Sequence, residues 1–492
     1  MRYEPHNNLT GSDKGDNAMS ESNGPKTIGR RQLFKYAGGA AAIAAVTSGF
    51  GSKWMGKTLS PLSVGPVDAA DNTTANMFLG GTDGWISLPR TPAIGFYHPD
   101  VLAPDGLSTY IFGFRNVTGL SQIQREAQKN HAQHSAPLFW VNQWDPSNGK
   151  DFLVDLTNLG LAQRPDLFDA HTLHWHGFRN VIPFFDGEPT GSVAVPAGTV
   201  FRYAYRPHEP GTYMYHCHVE DVEHVQMGMT GLVFIRPLQD KYGYGSNPAT
   251  ASRNGGNLTG PCQGYMYNDG DGSTAFDREY AMFMSEVWAE AHWADAHIQL
   301  PEWSDYRADF SLLNGRVYPD TIEPSAPQPD GFDPTTWDKP FLPVKTDVDG
   351  NLVAPVGRPD LQYQPLTSLI NCNVGDRVAL RFSNLGFKEA AMTLPGIPMK
   401  VVGKDATPML GRDGTDTSYT TDTLSLGAGE SFDAIFVAPL FTGDAAGFDT
   451  YMLYDRAYTR SNNLAAGGFG SRATEIRVYP AGTLPAQSIP NT

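Results

Sequence analysis

Two short stretches hold most of the side chains that could bind a metal or carry an electron. One reads His171-Thr172-Leu173-His174-Trp175-His176-Gly177; the other starts at His216-Cys217-His218 and continues to His224 and Met229. In an extended strand alternate side chains share a face, so His174 and His176 point one way, and His216 and His218 point together with Cys217 opposed to them. On neighbouring strands the two pairs would gather four imidazoles around one spot, while Cys217 opens onto another. A thiolate, imidazoles and a thioether form the ligand set of a trigonal copper site with a weak axial Met. His171, Cys217, His224 and Met229 supply that set. Zinc also accepts Cys and His, but a single thiolate beside Met suits copper better. Met227 is an alternative axial donor. With Cys217 in one site and His216 and His218 in the other, the His-Cys-His run becomes a short covalent path for an electron, which makes these three the expected catalytic residues. Imidazoles crowded at such spacings in apolar surroundings would be costly without a metal.

Side chains so placed need strands to hold them. Alternating runs broken by turn residues predict strands at 108–114, 138–142, 151–156, 199–205, 211–215 and 231–235, the pattern of a β-sandwich. We expect a first, copper-binding domain over 85–237, a Gly/Asn/Ser-rich linker over 238–277, a second domain over 278–480 and a C-terminal tail over 481–492. The clearest strands of the second domain are 377–383, 399–402, 421–426, 431–437 and 474–479, with the Pro-rich 323–359 read as loop. The two domains echo each other. Gly211-Thr-Tyr-Met-Tyr-His-Cys-His218 is matched by Asp449-Thr-Tyr-Met-Leu-Tyr-Asp-Arg456, so internal duplication places Tyr454, Asp455 and Arg456 where His216, Cys217 and His218 stand. One copy keeps metal ligands and the other has none.

Composition narrows the classes. The 492 residues include 36 Lys and Arg against 52 Asp and Glu, a net charge of −16, which argues against a nucleic-acid partner. An 11% aromatic fraction marks a folded chain, and 52 Gly with 37 Pro favour short strands and turns. Three Cys exclude a disulfide scaffold, although Cys262 and Cys372 could pair after export. Residues 1–28 are polar and aperiodic, as in a disordered segment. Arg30-Arg31 precedes a weak, Gly/Ala-rich apolar run, so 29–70 resembles a Tat export signal and linker, cut near Ala69-Ala70 or retained as an anchor. The run is too short for a confident membrane span. The expected location is periplasmic, extracellular or cell-surface.

The motifs resemble those of the multicopper oxidases, a family of all-β proteins with Greek-key cupredoxin sandwiches that includes laccases and is related to copper nitrite reductases. The match rests on His171–Gly177, Asp186-Gly187, Pro196-Ala197-Gly198, Gly211–His218 and the His224…Met229 pair, and more loosely on Leu313–Pro319 and Asn373–Arg377. It implies type 1 copper at His171, Cys217, His224 and Met229, and half of a trinuclear copper cluster at His174, His176, His216 and His218. It also implies a small-molecule or metal-ion electron donor (a phenol, an amine or a metal) and dioxygen as acceptor. Two departures stand out. Cys217 and His224 are seven apart where the family pattern has five. A full cluster takes eight His from two domains, and the second domain has Met392–Gly396 and Tyr454–Arg456 in the corresponding places, with no His after His297. The cluster could be completed by a second copy across a symmetric interface. The four His could instead hold a reduced centre of the nitrite-reductase kind, or type 1 copper could be the only metal, as in an electron-transfer or copper-binding cupredoxin without catalysis. Of the remaining His, His131 and His134 are expected at the surface, and His292 and His297 either solvated or along a substrate path. His224 is expected to be partly exposed on an acidic loop and to take up electrons. Asp186, Glu220, Asp221 and Glu223 read as surface or turn residues, with hydrogen bonding to copper imidazoles or proton delivery as a lesser role.

Overall fold

Residues 66–492 form one compact unit in a computed structural model, which describes residues 74–89, 97–179, 181–242, 264–333, 340–457 and 470–492. The expected disordered start, the export signal and Cys262 lie outside the described residues. Among the described residues no helix is long and apolar enough to cross a membrane.

The first half is built from β1 (Met77–Ser87), β2 (Ser108–Asn116), β3 (Phe139–Asn142), β4 (Phe152–Gly160), β5 (His174–His176), β6 (Val200–Tyr205), β7 (Gly211–His216) and β8 (Thr230–Arg236). They form two four-stranded sheets in the orders β2-β1-β4-β6 and β3-β8-β7-β5. Leu79, Phe112, Val154 and Tyr203 of one sheet share a buried core with Phe139, Trp175, Tyr215 and Val233 of the other, which makes the pair a sandwich. The parallel pairings β1 with β4 and β3 with β8 require crossovers between the sheets, as in Greek-key sandwiches.

The second half follows a two-stranded ribbon of β9 (Gly264–Tyr265) and β10 (Ala275–Phe276). It contains β11 (Arg278–Val287), β12 (Phe310–Leu313), β13 (Ile370–Asn373), β14 (Arg377–Asn384), β15 (Ala390–Thr393) and β16 (Met399–Lys404). The remaining strands are β17 (Thr407–Pro408), β18 (Tyr419–Thr421), β19 (Thr423–Leu426), β20 (Ser431–Val437), β21 (Asp449–Asp455) and β22 (Ala473–Tyr479). One sheet runs β12-β11-β14-β20-β16-β17 with β18 beside β16; the other runs β13-β22-β21-β15-β19, and both contribute to a second core. Trp140, Met214 and Phe234 on the back of the first sandwich pack on Ala281 and Phe283 of the second. That contact covers the outer faces of β7, β8 and β11 and explains why every residue of these strands is buried.

Three boundaries differ from expectation. The first sandwich begins before residue 85, at β1, whose Met77–Ser87 sequence carries glycines at 80, 81 and 84 and so lacks a readable alternation. The expected linker is structured at both described ends, by the helix Leu238–Tyr242 and the β9–β10 ribbon. The expected tail is anchored: Asn491 is fully buried, bonding Ala281 through both its carbonyl and its amide.

Candidate metal centres

Antiparallel pairing of β5 with β7 sets His174 directly opposite His216. His174 and His176 flank the buried Trp175, which points into the core on the other face. Ligand nitrogens of His174, His176 and His216 all lie within 4.8 Å of one another. His218, just past the end of β7, completes the group, with its ring centre 5.0 Å from that of His174 and 5.3 Å from that of His216. The rings are oriented from behind: His174 Nδ1 donates to the Asp186 carbonyl at 2.7 Å, and His216 Nδ1 to the Cys217 carbonyl at 2.8 Å. Both therefore keep Nε2 as a neutral donor atom for a metal, the arrangement by which outer hydrogen bonds fix a ligand's tautomer. Burial pulls the His216 pKa down to about 3, the neighbouring imidazoles pulling the same way against its bond to the Cys217 carbonyl. Burial also lowers His174 and His176.

The second group lies on the other side of β7. His171, Cys217 and His224, each fully buried, bring their ligand atoms within 4.8 Å of one another. Cys217 Sγ is 3.2 Å from His224 Nδ1 and receives the Thr172 backbone N–H at 3.4 Å. Thr172 Oγ1 in turn accepts the His218 N–H at 2.9 Å, so one residue braces both groups. Burial opposes ionisation of the Cys217 thiol, but the His224 and His171 imidazoles outweigh it and hold the pKa well below its usual range. For His224, burial is likewise outweighed by Cys217 and Asp169, which lift its pKa to about 10. Fully buried Met229 has its methyl beside His171, both within 3.4 Å of where a Cβ on Gly81 would stand. Such a Cβ would be 2.7 Å from the His171 ring, so β1 must carry glycine there for the imidazole to fit. Met227 is equally buried.

The long spacing between Cys217 and His224 is taken up by a helix, Asp221–Met227, entered through Glu220 at φ 47° and left through Gly228 at φ 120°. Backbone bonds from Cys217 N–H to Met229 O and from Met229 N–H to His224 O close the loop on itself. Helix formation overturns the expected exposure of His224: its ring is buried against the edge of Phe112, and Nε2 faces Asp169 at 3.5 Å. Asp169, Thr172 and Gly81 escaped the sequence reading, because nothing in their local pattern marks a contact made across the fold.

Other expectations change too. His134 is buried between the sandwiches, with Nε2 3.0 Å from Ser285 Oγ, and half-buried His131 stacks on Tyr363. Their segment threads between the sandwiches, its backbone tied to Asp83, Phe114 and Tyr363. His292 is neither solvated nor on a path: its Nδ1 is 2.6 Å from the Tyr110 carbonyl and its Nε2 3.3 Å from Gln226 of the ligand helix. His297 pairs with Asp100 at 2.9 Å. Asp221 is exposed and Glu220 forms the turn, as expected, whereas Glu223 is half-buried near Asp295, and burial raises its pKa. Asp186 contributes its carbonyl to His174.

Chemically the two groups differ. The buried ring of His171 has no hydrogen-bond partner on either nitrogen. Leaving such an atom unsatisfied costs about 1–3 kcal/mol, and a metal bound at one of the two nitrogens would remove that atom's share. A thiolate, two imidazoles and a thioether fit copper, and four imidazoles beside them fit copper again. The sheets and these ligand sets define a copper-binding protein of the cupredoxin-sandwich type. Residues 149–240, which carry all eight candidate ligands, match the family model described as multicopper oxidase. No curated protein matches the chain. Among solved structures, the chain is similar to a blue copper oxidase from Nitrosomonas europaea, 20% identical over 82% of this chain and 85% of that one, with a TM-score of 0.48. It is also similar to the multicopper oxidase mgLAC, 19% identical over 83% and 87%, TM-score 0.48. A copper nitrite reductase from Nitrosomonas europaea is 13% identical over 84% and 96%, TM-score 0.48.

Proposed function

We propose that this protein is an exported multicopper oxidase that takes electrons from a reducing substrate at one centre and delivers them to dioxygen, forming water, at the other. The observation that carries this reading is the position of Cys217. Its side chain joins His171 and His224 while the adjacent His216 joins His174 and His176, so a single peptide bond links the two ligand groups. Copper, when bound, would supply reversible one-electron chemistry at both groups. Cys217, as a thiolate, provides the covalent route out of the first group, and His216 and His218 receive it at the second. His171, His224 and Met229 complete the first group; His174 and His176 complete the second. Asp169 covers the buried edge of His224. The acidic surface tolerates phenols, amines and reduced metal ions alike. The twin-arginine segment supports export to the periplasm, the cell surface or the medium.

Four His make half of an eight-His cluster, and no His follows His297 to provide the rest. A homo-oligomer in which a second copy contributes its own four His completes it. One observation favours a rival reading, a centre of the nitrite-reductase kind: only three of the four imidazoles, those of His174, His176 and His216, bring ligand atoms within 4.8 Å of one another. Copper per chain, oligomeric mass and oxygen uptake, measured on the same preparation, separate the two. The oxidase reading expects an intense blue thiolate-to-copper absorption that bleaches with a phenolic donor and returns in air. One copper per chain with no oxygen uptake would sink it, and nitrite turnover without oxidase activity would replace it.

A further inference from the structure

Away from both metal groups, a cavity of about 220 Å³ lies between the first sandwich and the Pro-rich segment 323–359. Its described walls are mainly apolar, with Leu138, Phe341, Val344 and Leu366 among them, and Arg115 of β2 is the single charged side chain among the described lining residues. Arg115 is 1% exposed. Its four hydrogen bonds go to neutral acceptors: Gln128 Oε1 at 3.3 Å, the Asn116 carbonyl at 2.9 Å, Gln133 Oε1 at 3.2 Å and the Gly350 carbonyl at 2.9 Å. Three other buried arginines are neutralised directly, Arg381 by Glu279 at 2.7 Å, Arg472 by Glu286 at 3.1 Å and Arg236 by Glu279 at 2.6 Å. Fully buried Arg316, like Arg115, bonds only neutral acceptors, the Gln364, Asp320, Glu323 and Pro324 carbonyls, but does not line this cavity. Burial lowers the Arg115 guanidinium to about 10, which leaves it cationic at neutral pH. The exposed carboxylate of Asp347 acts on Arg115 only through space, and every direct partner is neutral. A buried cation held this way is costly, and a hydrogen-bonded carboxylate recovers part of that cost.

We propose that this cavity is a binding site for a small organic carboxylate with an apolar body, its charged end at Arg115 and its body among Leu138, Phe341 and Leu366. An apolar cavity of roughly 150 Å³ already accepts benzene, so a single ring with a carboxylate fits the space. The site is independent of copper, and its success or failure leaves the oxidase reading untouched. The test is a calorimetric titration of the full copper-loaded chain with benzoate and, separately, with benzamide, which has the same shape without the charge. Benzoate is expected to bind saturably at one site per chain and at least tenfold more tightly than benzamide. Arg115→Gln should remove that preference, and Val344→Phe, at the half-buried rim, should weaken both ligands at least tenfold by filling the space. Absence of saturable benzoate binding, equal affinity for benzamide, or unchanged binding in either variant overturns the proposal. The benzoate–benzamide comparison in the unaltered protein decides the matter even if a variant fails to fold.

Discussion

The two sandwiches solve the same geometric problem with different chemistry. In the first, β5 and β7 set His174 opposite His216, and the chain continues into Cys217. In the second, β15 and β21 set Met392 opposite Asp455, the residue that duplication aligns with Cys217. Asp455 is fully buried, accepts the Ala391 and Ala457 backbone N–H groups at 3.0 Å each, and pairs with Arg472 at 3.3 Å. Arg472 also reaches Glu286 at 3.1 Å. Where one sandwich gathers His and Cys side chains that could hold a metal, the other has a buried network of opposite charges at the strand end that matches it. Similar strand pairs can therefore end in candidate metal ligands or in a structural anchor, because the ladder is made by backbone and the site by side chains. The second sandwich still serves the first: the Glu286 carbonyl accepts from Gln226 of the ligand helix at 3.3 Å, and Gly429 approaches the ring of His176.

The sharpest way to break this contrast is Cys217→Ser, which should abolish the blue absorption completely and lower the copper content, read by visible spectroscopy and metal analysis. Survival of the band would move the thiolate site elsewhere. Acid should separate the sandwiches next. His134 and His292, both buried, have pKa values pulled down to about 4 by burial, so the unfolded chain binds their protons first as the pH falls. Their neutral folded forms are unpenalised above the unfolded value of about 6.5, and stability drops between there and about pH 4, by up to about 3 kcal/mol for each group. Hydrogen exchange on metal-free protein should lose protection first where these two histidines join the sandwiches, at β2, β11 and the helix Ala289–Ala296, and later in β13–β22, where no histidine lies; simultaneous loss would contradict this. Asp455→Asn leaves Arg472 partly unpaired in the core and should cost about 3–5 kcal/mol in denaturant unfolding while leaving the blue band unchanged. The smallest effect is expected from Gly429→Ala. Its φ of 83° strains a side chain by about 1–2 kcal/mol, and the new Cβ would lie 3.2 Å from His176 Nε2. Electron paramagnetic resonance should shift for the His-only centre and stay constant for the thiolate centre.

Much of the site was legible because a strand's period of two converts spacing into facing. His174, His176, His216 and His218 share one face, and Cys217 takes the other, whatever surrounds them. The strands that hold them were legible for the same reason. β1 was not, because its glycines were selected by contacts with residues far along the chain: Gly81 makes room for His171, and Gly84 for the backbone of Ala132. The burial of His224 was missed because an acidic run with two extra residues reads as a solvated loop, whereas its first turn closes into a helix whose inner face lies on Phe112 and β11. His134 and His292 lack any local signal, since their partners, Ser285 and Tyr110, come from the opposite sandwich.

By itself the sequence determined the ligand types, their division into two groups and the bond that joins them, since strand periodicity and donor chemistry are local properties. It also showed that Tyr454–Arg456, the stretch matching His216–His218, carries neither His nor Cys. Only the tertiary structure decided that His224 is closed to solvent, that Asp169 covers it, that a buried charge network holds the end of β21, and that Arg115 lines a cavity with only neutral direct partners. Those features depend on which surfaces two packed sandwiches bring together, and the free energy of burying a charge or an imidazole is set by neighbours far along the chain, as for His134 and His292.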